Sequence, residues 1–358
     1  METKYLISFC TVSMNRLHHL KHTLERNILA NLSYSNLEYI LLDYNSSDGT
    51  KTWVMNNMKK YLKSGILKYY HNAQPIQFDR SHSRNMAFRL ATGDLLCNVD
   101  ADNFLGVNFA QFINQNFQHN NEIFLTPQFY YRDVIGRLVI KATDFKKSRG
   151  YHESMSGYGF EDIELYRRLS IRKLKHVRFF NKAFLEVIHH SNQERFANEH
   201  IGQNCKDIYL RYIQPDKTEV LYFYIDGTFE MGCFLDNEEK KQTELQNEFD
   251  NKISLEREWT KGYWKQLLNG IALKIGAEKN KNFHNYKNKG GFYHSASNKR
   301  YFKVGNIELQ NHLKLLKSEM ENRSRLKQFL TQPMDHVNVD GYGKGVVTLN
   351  FIETIYLK

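Results

Sequence analysis

The sequence predicts an α/β domain with a largely parallel sheet flanked by helices over residues 1–217, followed by a smaller, strand-rich domain over residues 218–358. Three observations carry this reading. Strand-like and helix-like segments alternate through roughly the first 100 residues. Their apolar residues switch between continuous runs and a four-residue repeat. Beyond Pro215 the helical spacing gives way to short strand-like runs about turn residues. The chain has 358 residues, enough for two ordinary domains, and its 41% hydrophobic and 25% charged content is that of a folded globular protein.

Tyr5 to Val12 is a short apolar run and reads as the first strand. His18 to Leu32 places Leu20, Leu24, Ile28 and Leu32 four apart, the spacing of an amphipathic helix. Leu37 to Asp43 reads as a second strand, closed by the turn cluster Asn45-Ser46-Ser47-Asp48-Gly49. Ser47 or Asp48 is expected to cap the helix running on toward Tyr61. Ser83 to Ala91 reads as another helix, ended near Gly93, and Asp94 to Val99 as a buried strand. Such half-sheets bind nucleotides at the carboxyl ends of their strands, where Asp43 and Asp100 both stand. In the second domain, Val220 to Ile225 and the residues after Asp226-Gly227 form two strands about a turn. Asn269-Gly270 supplies a tight hairpin turn between Trp264 to Leu268 and Ile271 to Ile275. Asn306 to Glu321 reads as a helix and Val346 to Tyr356 as a last strand.

The net charge of +11 raises a nucleic-acid reading. Its two denser stretches, Arg167 to Arg178 and Lys279 to Lys289, carry no helix-turn-helix, zinc-finger or RNA-recognition signature, so no nucleic-acid partner is expected. Peripheral contact with anionic lipid or an acidic glycan is the charged alternative to a plain solvated face. Cys10, Cys97, Cys205 and Cys233 are far apart and form no C-x-x-C pair, which fits a reducing cytoplasm. No apolar run approaches the roughly 20 residues that cross a bilayer. The start of the chain does not read as a secretory signal. The expected location is the cytoplasm, extending to the inner face of the membrane.

Chemistry concentrates in three places. Asp100-Ala101-Asp102 leaves the end of an apolar strand with two carboxylates together, an oxygen-rich pair suited to Mg²⁺ or Mn²⁺ on a diphosphate. Gly157-Tyr158-Gly159-Phe160 leads into Glu161-Asp162, which fall in the first turn of a helix, where unpaired amides favour negative charge. Capping explains one acidic residue there, but not the glycine segment before it. Val187-Ile188 ends in His189-His190, a pair read as a ligand source at the end of an apolar strand.

Taken in order, these pieces resemble a family. Asp43 before Ser46-Ser47-Asp48-Gly49-Thr50, then Ser83-Arg84-Asn85, Ala91-Thr92-Gly93-Asp94 and Asp100-Ala101-Asp102, look like the nucleotide-binding half of family 2 glycosyltransferases with the GT-A fold. Gly157 to Asp162 is similar to the G-W-G-G-E-D segment of β-1,4-galactosyltransferases and bacterial chondroitin-type polymerases. Ile188-His189-His190-Ser191, with Arg195-Phe196 beyond it, is similar to the metal-histidine segment of those galactosyltransferases. The resemblance implies that Asp43 recognises uracil and that Asn15 and Arg16 line the nucleotide pocket. It places Arg84 near the donor phosphates or sugar, Asp100 at ribose or sugar, and Asp102 and His190 on the metal. Asp162 becomes the catalytic base, with Glu161 on donor or acceptor hydroxyls. Tyr158 and Phe160 replace the tryptophan and second glycine of the relatives, so sugar preferences do not carry over. Val187 stands where some relatives place a methionine ligand.

The expected function is an inverting, Mn²⁺- or Mg²⁺-dependent transfer of a hexose or N-acetylhexosamine from a UDP-sugar to a hydroxyl of a glycan or lipid-linked glycan. Two rivals are a sugar nucleotidyltransferase and a noncatalytic glycan- or nucleotide-binding protein. The first calls for a glycine-rich loop after the first strand, where Thr11 to Arg16 has no glycine. The second leaves the metal and base residues unexplained. All expected donor residues precede Ser191, so a chain ended near Asp216 is expected to keep donor binding.

Overall fold

The computed structural model describes residues 4–128, 132–236, 253–256, 258–268, 270–276, 284–289, 292–294, 300–329 and 336–358. Two compact units emerge, one from residues 1–191 with 321–358 and one from residues 192–320. The division therefore falls at Ser191 rather than at 217, and the end of the chain returns to the first unit.

The first unit begins β1 (Ile7–Ser13), α1 (Leu17–Asn31), β2 (Leu37–Tyr44), α2 (Thr50–Asn57), α3 (Lys59–Lys63), β3 (Leu67–Asn72), α4 (Arg80–Leu90) and β4 (Leu95–Asn98). It continues α5 (Phe109–His119), β5 (Ile123–Pro127), β6 (Val139–Lys141), α6 (Ala142–Lys147), α7 (Glu161–Ile171) and β7 (Lys175–Phe179). All seven residues of β1 are buried, as a strand covered on both faces requires. Neighbouring residues point to opposite faces: Phe9 and Leu41 join one core with Leu24, Phe109 and Ile113. Cys10, Ile40 and Leu42 join another with Met86, Phe88 and Leu165. In α1 the predicted stripe is buried at Leu20, Leu24 and Ile28, while Leu32 is left largely exposed. Asp48 serves the expected helix end and a second one. Its Oδ1 accepts from Thr50 N at 3.1 Å at the start of α2, and its Oδ2 accepts from Leu17 N at 2.7 Å at the start of α1.

The second unit contains α8 (Asn192–Phe196), α9 (His200–Asn204), β8 (Cys205–Gln214), β9 (Lys217–Tyr224), β10 (Thr228–Asp236), β11 (Ile253–Leu255) and β12 (Thr260–Leu267). It continues β13 (Gly270–Ile275), β14 (His284–Lys289), β15 (Phe292–His294) and β16 (Arg300–Lys303). Antiparallel pairing runs from β10 through β12, β13, β14, β15, β16 and β8 to β9, which pairs back onto β10, so the ring closes with β11 as a spur. Closure removes free sheet edges, and Tyr209, Leu221, Phe223, Phe229, Leu273 and Tyr301 share its core. The predicted strand pairs at 220–229 and 264–275 are both present, although Asn269 lies outside the described residues. So do residues 279–283 of the lysine-rich stretch.

Helix α10 (Ile307–Phe329) contributes its last turns to the first unit, which β17 (Gly345–Leu349) and β18 (Glu353–Leu357) complete. The expected last strand is thus a hairpin turning through Asn350 and Phe351, both at positive φ. The first sheet runs β18-β17-β3-β2-β1-β4-β6-β5-β7. Its β3-β2-β1-β4 centre is parallel, whereas β6 and β17 add antiparallel. Among the described residues, no helix is long and apolar enough to cross a membrane.

This topology changes the expected result of truncation. A chain ended at Asp216 loses the β17–β18 cover on β3 and cuts the ring after β8. Both leave unpaired strand edges. We expect an insoluble product or one without a cooperative thermal transition by circular dichroism. A soluble, cooperatively melting product that binds UDP would restore the boundary near 217.

Candidate active site

The chain order of the sheet changes direction between β1 and β4, and a ligand crevice forms outside the carboxyl ends of such strands. The loops there hold nearly every residue singled out from the sequence. After β1, Asn15 takes a left-handed conformation (φ +55°). Its N–H donates to Ser46 Oγ at 2.9 Å, and its Oδ1 accepts from Ser47 N at 2.7 Å. Arg16, half-buried, precedes α1, and its carbonyl accepts from His19 N and Leu20 N.

Asp43 stands at the carboxyl end of β2, as the sequence predicts. It is wholly buried, with Oδ1 accepting from Ser46 N at 2.8 Å and Oδ2 from the Tyr69 hydroxyl at 2.5 Å. It shapes the loop that meets Asn15 and presents no open carboxylate edge. Arg84, on α4, is likewise committed. Its Nη1 donates to Asp162 Oδ1 at 3.0 Å and Glu161 Oε1 at 3.3 Å, and its Nη2 donates to Asp100 Oδ1 at 3.3 Å. One buried guanidinium thus joins the carboxylates of the two acidic motifs, which lie some 60 residues apart in sequence. Gly136 makes this approach possible, since a Cβ there would stand 2.7 Å from Arg84 Nη2 and 3.2 Å from Asp100 Oδ2.

The electrostatics follow from burial. Burial, with smaller contributions from Glu161 and Asp100, pushes the Asp162 carboxyl up to about 7, against the pull of Arg84. Asp100 is also pushed upward by burial, but Arg84 and the Asn98 amide at 3.1 Å overcome this and hold it below the usual carboxylate value. Glu161 is buried, and its Oε2 has no hydrogen-bond partner among the described residues. A buried acceptor with no donor is costly unless a ligand supplies one.

Asp102 and His190 come together without a strand to carry them. Val187 makes a single bridge to Asn103, Ile188 N donates to Asp102 O at 2.9 Å, and His190 Nε2 lies 3.3 Å from Asp102 Oδ2. The expected apolar strand before the histidines is therefore an irregular segment laid along residues 102–104. His189 points elsewhere, its Nδ1 meeting Asp133 Oδ2 at 3.1 Å. A carboxylate oxygen and an imidazole nitrogen this close can share one divalent ion at ordinary bond lengths of about 2.0–2.2 Å.

Arg137 was not read from the sequence. It is wholly buried, donating Nη2 to Asn103 Oδ1 at 3.0 Å and to Phe104 O at 3.1 Å, and Nη1 to Phe184 O. It ties the Asp102 loop to the segment leading to His190. An arginine within the run Val134 to Ile140 was the available signal, because so apolar a setting forces it to find buried acceptors.

A parallel sheet centre with acidic loops gathered at its carboxyl end defines a mixed α/β domain with a crevice for a ligand. Residues 8–185, just under half of the chain, match the family model described as glycosyl transferase family 2. No curated protein matches the sequence. Among solved structures, mannosyltransferase PcManGT from Pyrobaculum calidifontis, in complex with GDP-Man and Mn²⁺, is 15% identical with a TM-score of 0.45, covering 55% of this chain and 62% of that one. S. aureus TarS 1–349 is 16% identical with a TM-score of 0.43, covering 53% and 61%. Glucosyl-3-phosphoglycerate synthase from Mycobacterium tuberculosis, in complex with Mn²⁺, UDP and phosphoglyceric acid, is 15% identical with a TM-score of 0.41, covering 55% and 76%. The chain spans about three fifths of the first two.

Proposed function

We propose that this protein is an inverting glycosyltransferase that moves a hexose or N-acetylhexosamine from a UDP-sugar to a hydroxyl of a glycan or lipid-linked glycan acceptor. The observation that carries the reading is the clustering, by Arg84, of Asp100, Glu161 and Asp162 in a family 2 domain whose Asp102 lies against His190. Asp102 and His190 would hold Mn²⁺ or Mg²⁺, which when bound stabilises charge developing on a diphosphate as a Lewis acid. Asp162 takes the acceptor hydroxyl's proton as that oxygen attacks the sugar's anomeric carbon. The carbon–phosphate-oxygen bond breaks on the opposite side, its electron pair leaves with the nucleotide diphosphate, and the anomeric configuration inverts. The unpartnered Glu161 Oε2 supports a contact with a sugar hydroxyl there.

Asp100 would contact the ribose or sugar. Arg84 is assigned to organising the carboxylates, not to direct phosphate binding. Asn15 and Arg16 would frame the base, with Asp43 fixing their loop from beneath. The basic surface residues leave peripheral contact with a membrane as part of this reading.

Nucleotide release measured with a panel of UDP- and GDP-sugars tests the activity, and release from none of them would overturn it. The metal assignment has its own test. Asp102→Ala and His190→Ala are each expected to abolish Mn²⁺-dependent UDP binding by calorimetry without unfolding the protein, and Asp100→Ala to weaken it less. Wild-type binding in both ligand variants would end that assignment.

A further inference from the structure

The loop that leads into α7 is conformationally costly and is held from outside. Gly157 (φ +79°), Gly159 (φ +95°) and Phe160 (φ +70°) all lie in the left-handed region. Glycine adopts it freely, whereas a bulky residue there is strained. Phe160 immediately precedes α7, and no side chain caps that helix end. Neither local preference nor a cap, then, fixes where Glu161 and Asp162 stand.

Arg84 holds the two carboxylates, and the last turns of α10 hold the backbone of the loop ahead of them, within the same unit. Asn322 is wholly buried and donates Nδ2 to Gly159 O at 2.8 Å. Its Oδ1 accepts from Arg325 Nη1 at 2.9 Å, and the same Nη1 donates to Ser156 Oγ at 3.1 Å. The Arg323 guanidinium lies 5.5 Å from the centre of the Phe160 ring, and His152 stacks on Phe329 at 4.0 Å. The loop is thereby gripped at Ser156, Gly159 and Phe160, directly ahead of Asp162.

We propose that Asn322 and Arg323 are positioning residues for Asp162, which sets this inference on the reading of Asp162 as the base. Asn322 fixes the Gly159 carbonyl, and Arg323 holds the Phe160 ring so that residue 160 keeps its left-handed conformation. Without them Phe160 relaxes toward ordinary negative φ, and the first turn of α7 moves. A shift of about 1 Å in a reacting group costs on the order of 10²-fold in rate.

The test compares Asn322→Leu, Asn322→Gln, Phe160→Ala and Asp162→Asn, measuring kcat, thermal stability and calorimetric affinity for UDP with Mn²⁺. Asn322→Leu keeps the shape but removes the donor, and should lower kcat by about 10- to 100-fold with UDP affinity within about twofold. Asn322→Gln restores an amide and should recover part of that loss. Phe160→Ala keeps a Cβ that disfavours the left-handed region while removing the ring from Arg323, so kcat should fall. Near wild-type kcat in Asn322→Leu, or UDP affinity falling in step with kcat, overturns the proposal. If Asn322→Leu does not fold, unchanged kcat in Phe160→Ala overturns it. Near wild-type turnover in Asp162→Asn removes the base assignment and this inference together. An inactive Asp162→Asn beside normal Asn322→Leu and Phe160→Ala removes the positioning role alone.

Discussion

Replacing Asp162 with asparagine is expected to lower turnover to acceptor by roughly two to four powers of ten, the usual worth of a general base. The substitution keeps size and shape, and Arg84 can still donate to the amide oxygen, so affinity for UDP and Mn²⁺ should hardly change. The base works in its ionised form. Because burial pushes its carboxyl up to about 7, the ionised fraction grows as pH rises through that value. Turnover in the wild type should therefore rise about tenfold per pH unit on the acid side and level off above about 7. Glu161→Gln should act mainly on substrate binding. Near wild-type transfer by Asp162→Asn with a dead Glu161→Gln would exchange the two roles.

The second large effect is on stability. Arg84→Ala leaves Glu161 and Asp162 buried with no opposing charge, and Asp100 loses its cation. Breaking such a cluster from one side typically costs about 3–5 kcal/mol. The pH dependence has a definite sign. Without the guanidinium, the pull that Arg84 exerts on Asp162 and Asp100 is lost, and burial carries both carboxyls upward. Groups shifted that way contribute stability below the unfolded pKa and lose it as pH rises through the folded pKa. The deficit in urea unfolding should thus be larger at pH 8 than at pH 5. Arg84→Lys keeps a charge but not the two-armed fork and should recover only part of the loss. A deficit under about 1 kcal/mol that is flat between those pH values would show that Arg84 does not hold this cluster together.

What the sequence made legible was local. The apolar runs of β1, β2 and β4 and the four-residue stripe of α1 report buried faces directly, and the carboxylates of Asp100, Asp102, Glu161 and Asp162 stand where strand ends and a helix start put them. Relations across long separations were not legible. Nothing in the spacing around Arg84 announces that it will bridge Asp100 to Asp162, nor that Asn322 will reach Gly159 across 163 residues. Asp48 has the chemistry of a cap, and sequence proximity pointed rightly to Thr50 at the start of α2, but nothing local announces that its other oxygen meets the N–H of Leu17. His190 reached Asp102 without the strand its apolar neighbours implied, because Val187 finds only one bridging partner, Asn103. The ring of the second unit depends on β9 meeting β10 as well as β8, a closure that alternation along single strands does not encode.

The return of the C-terminus to the first sheet has a consequence for how the protein is made. Tyr69 exchanges backbone and side-chain hydrogen bonds with Asn350, 281 residues further along. At translation speeds of about 5–20 residues per second, β3 waits on the order of 15–60 s for β17 to emerge from the ribosome. Late in that interval the residues of the second unit have been synthesised and can close their ring, while the first sheet still has an open edge. The nascent chain is then most exposed to edge-to-edge association through β3, and the emergence of β17 is the event that ends the exposure.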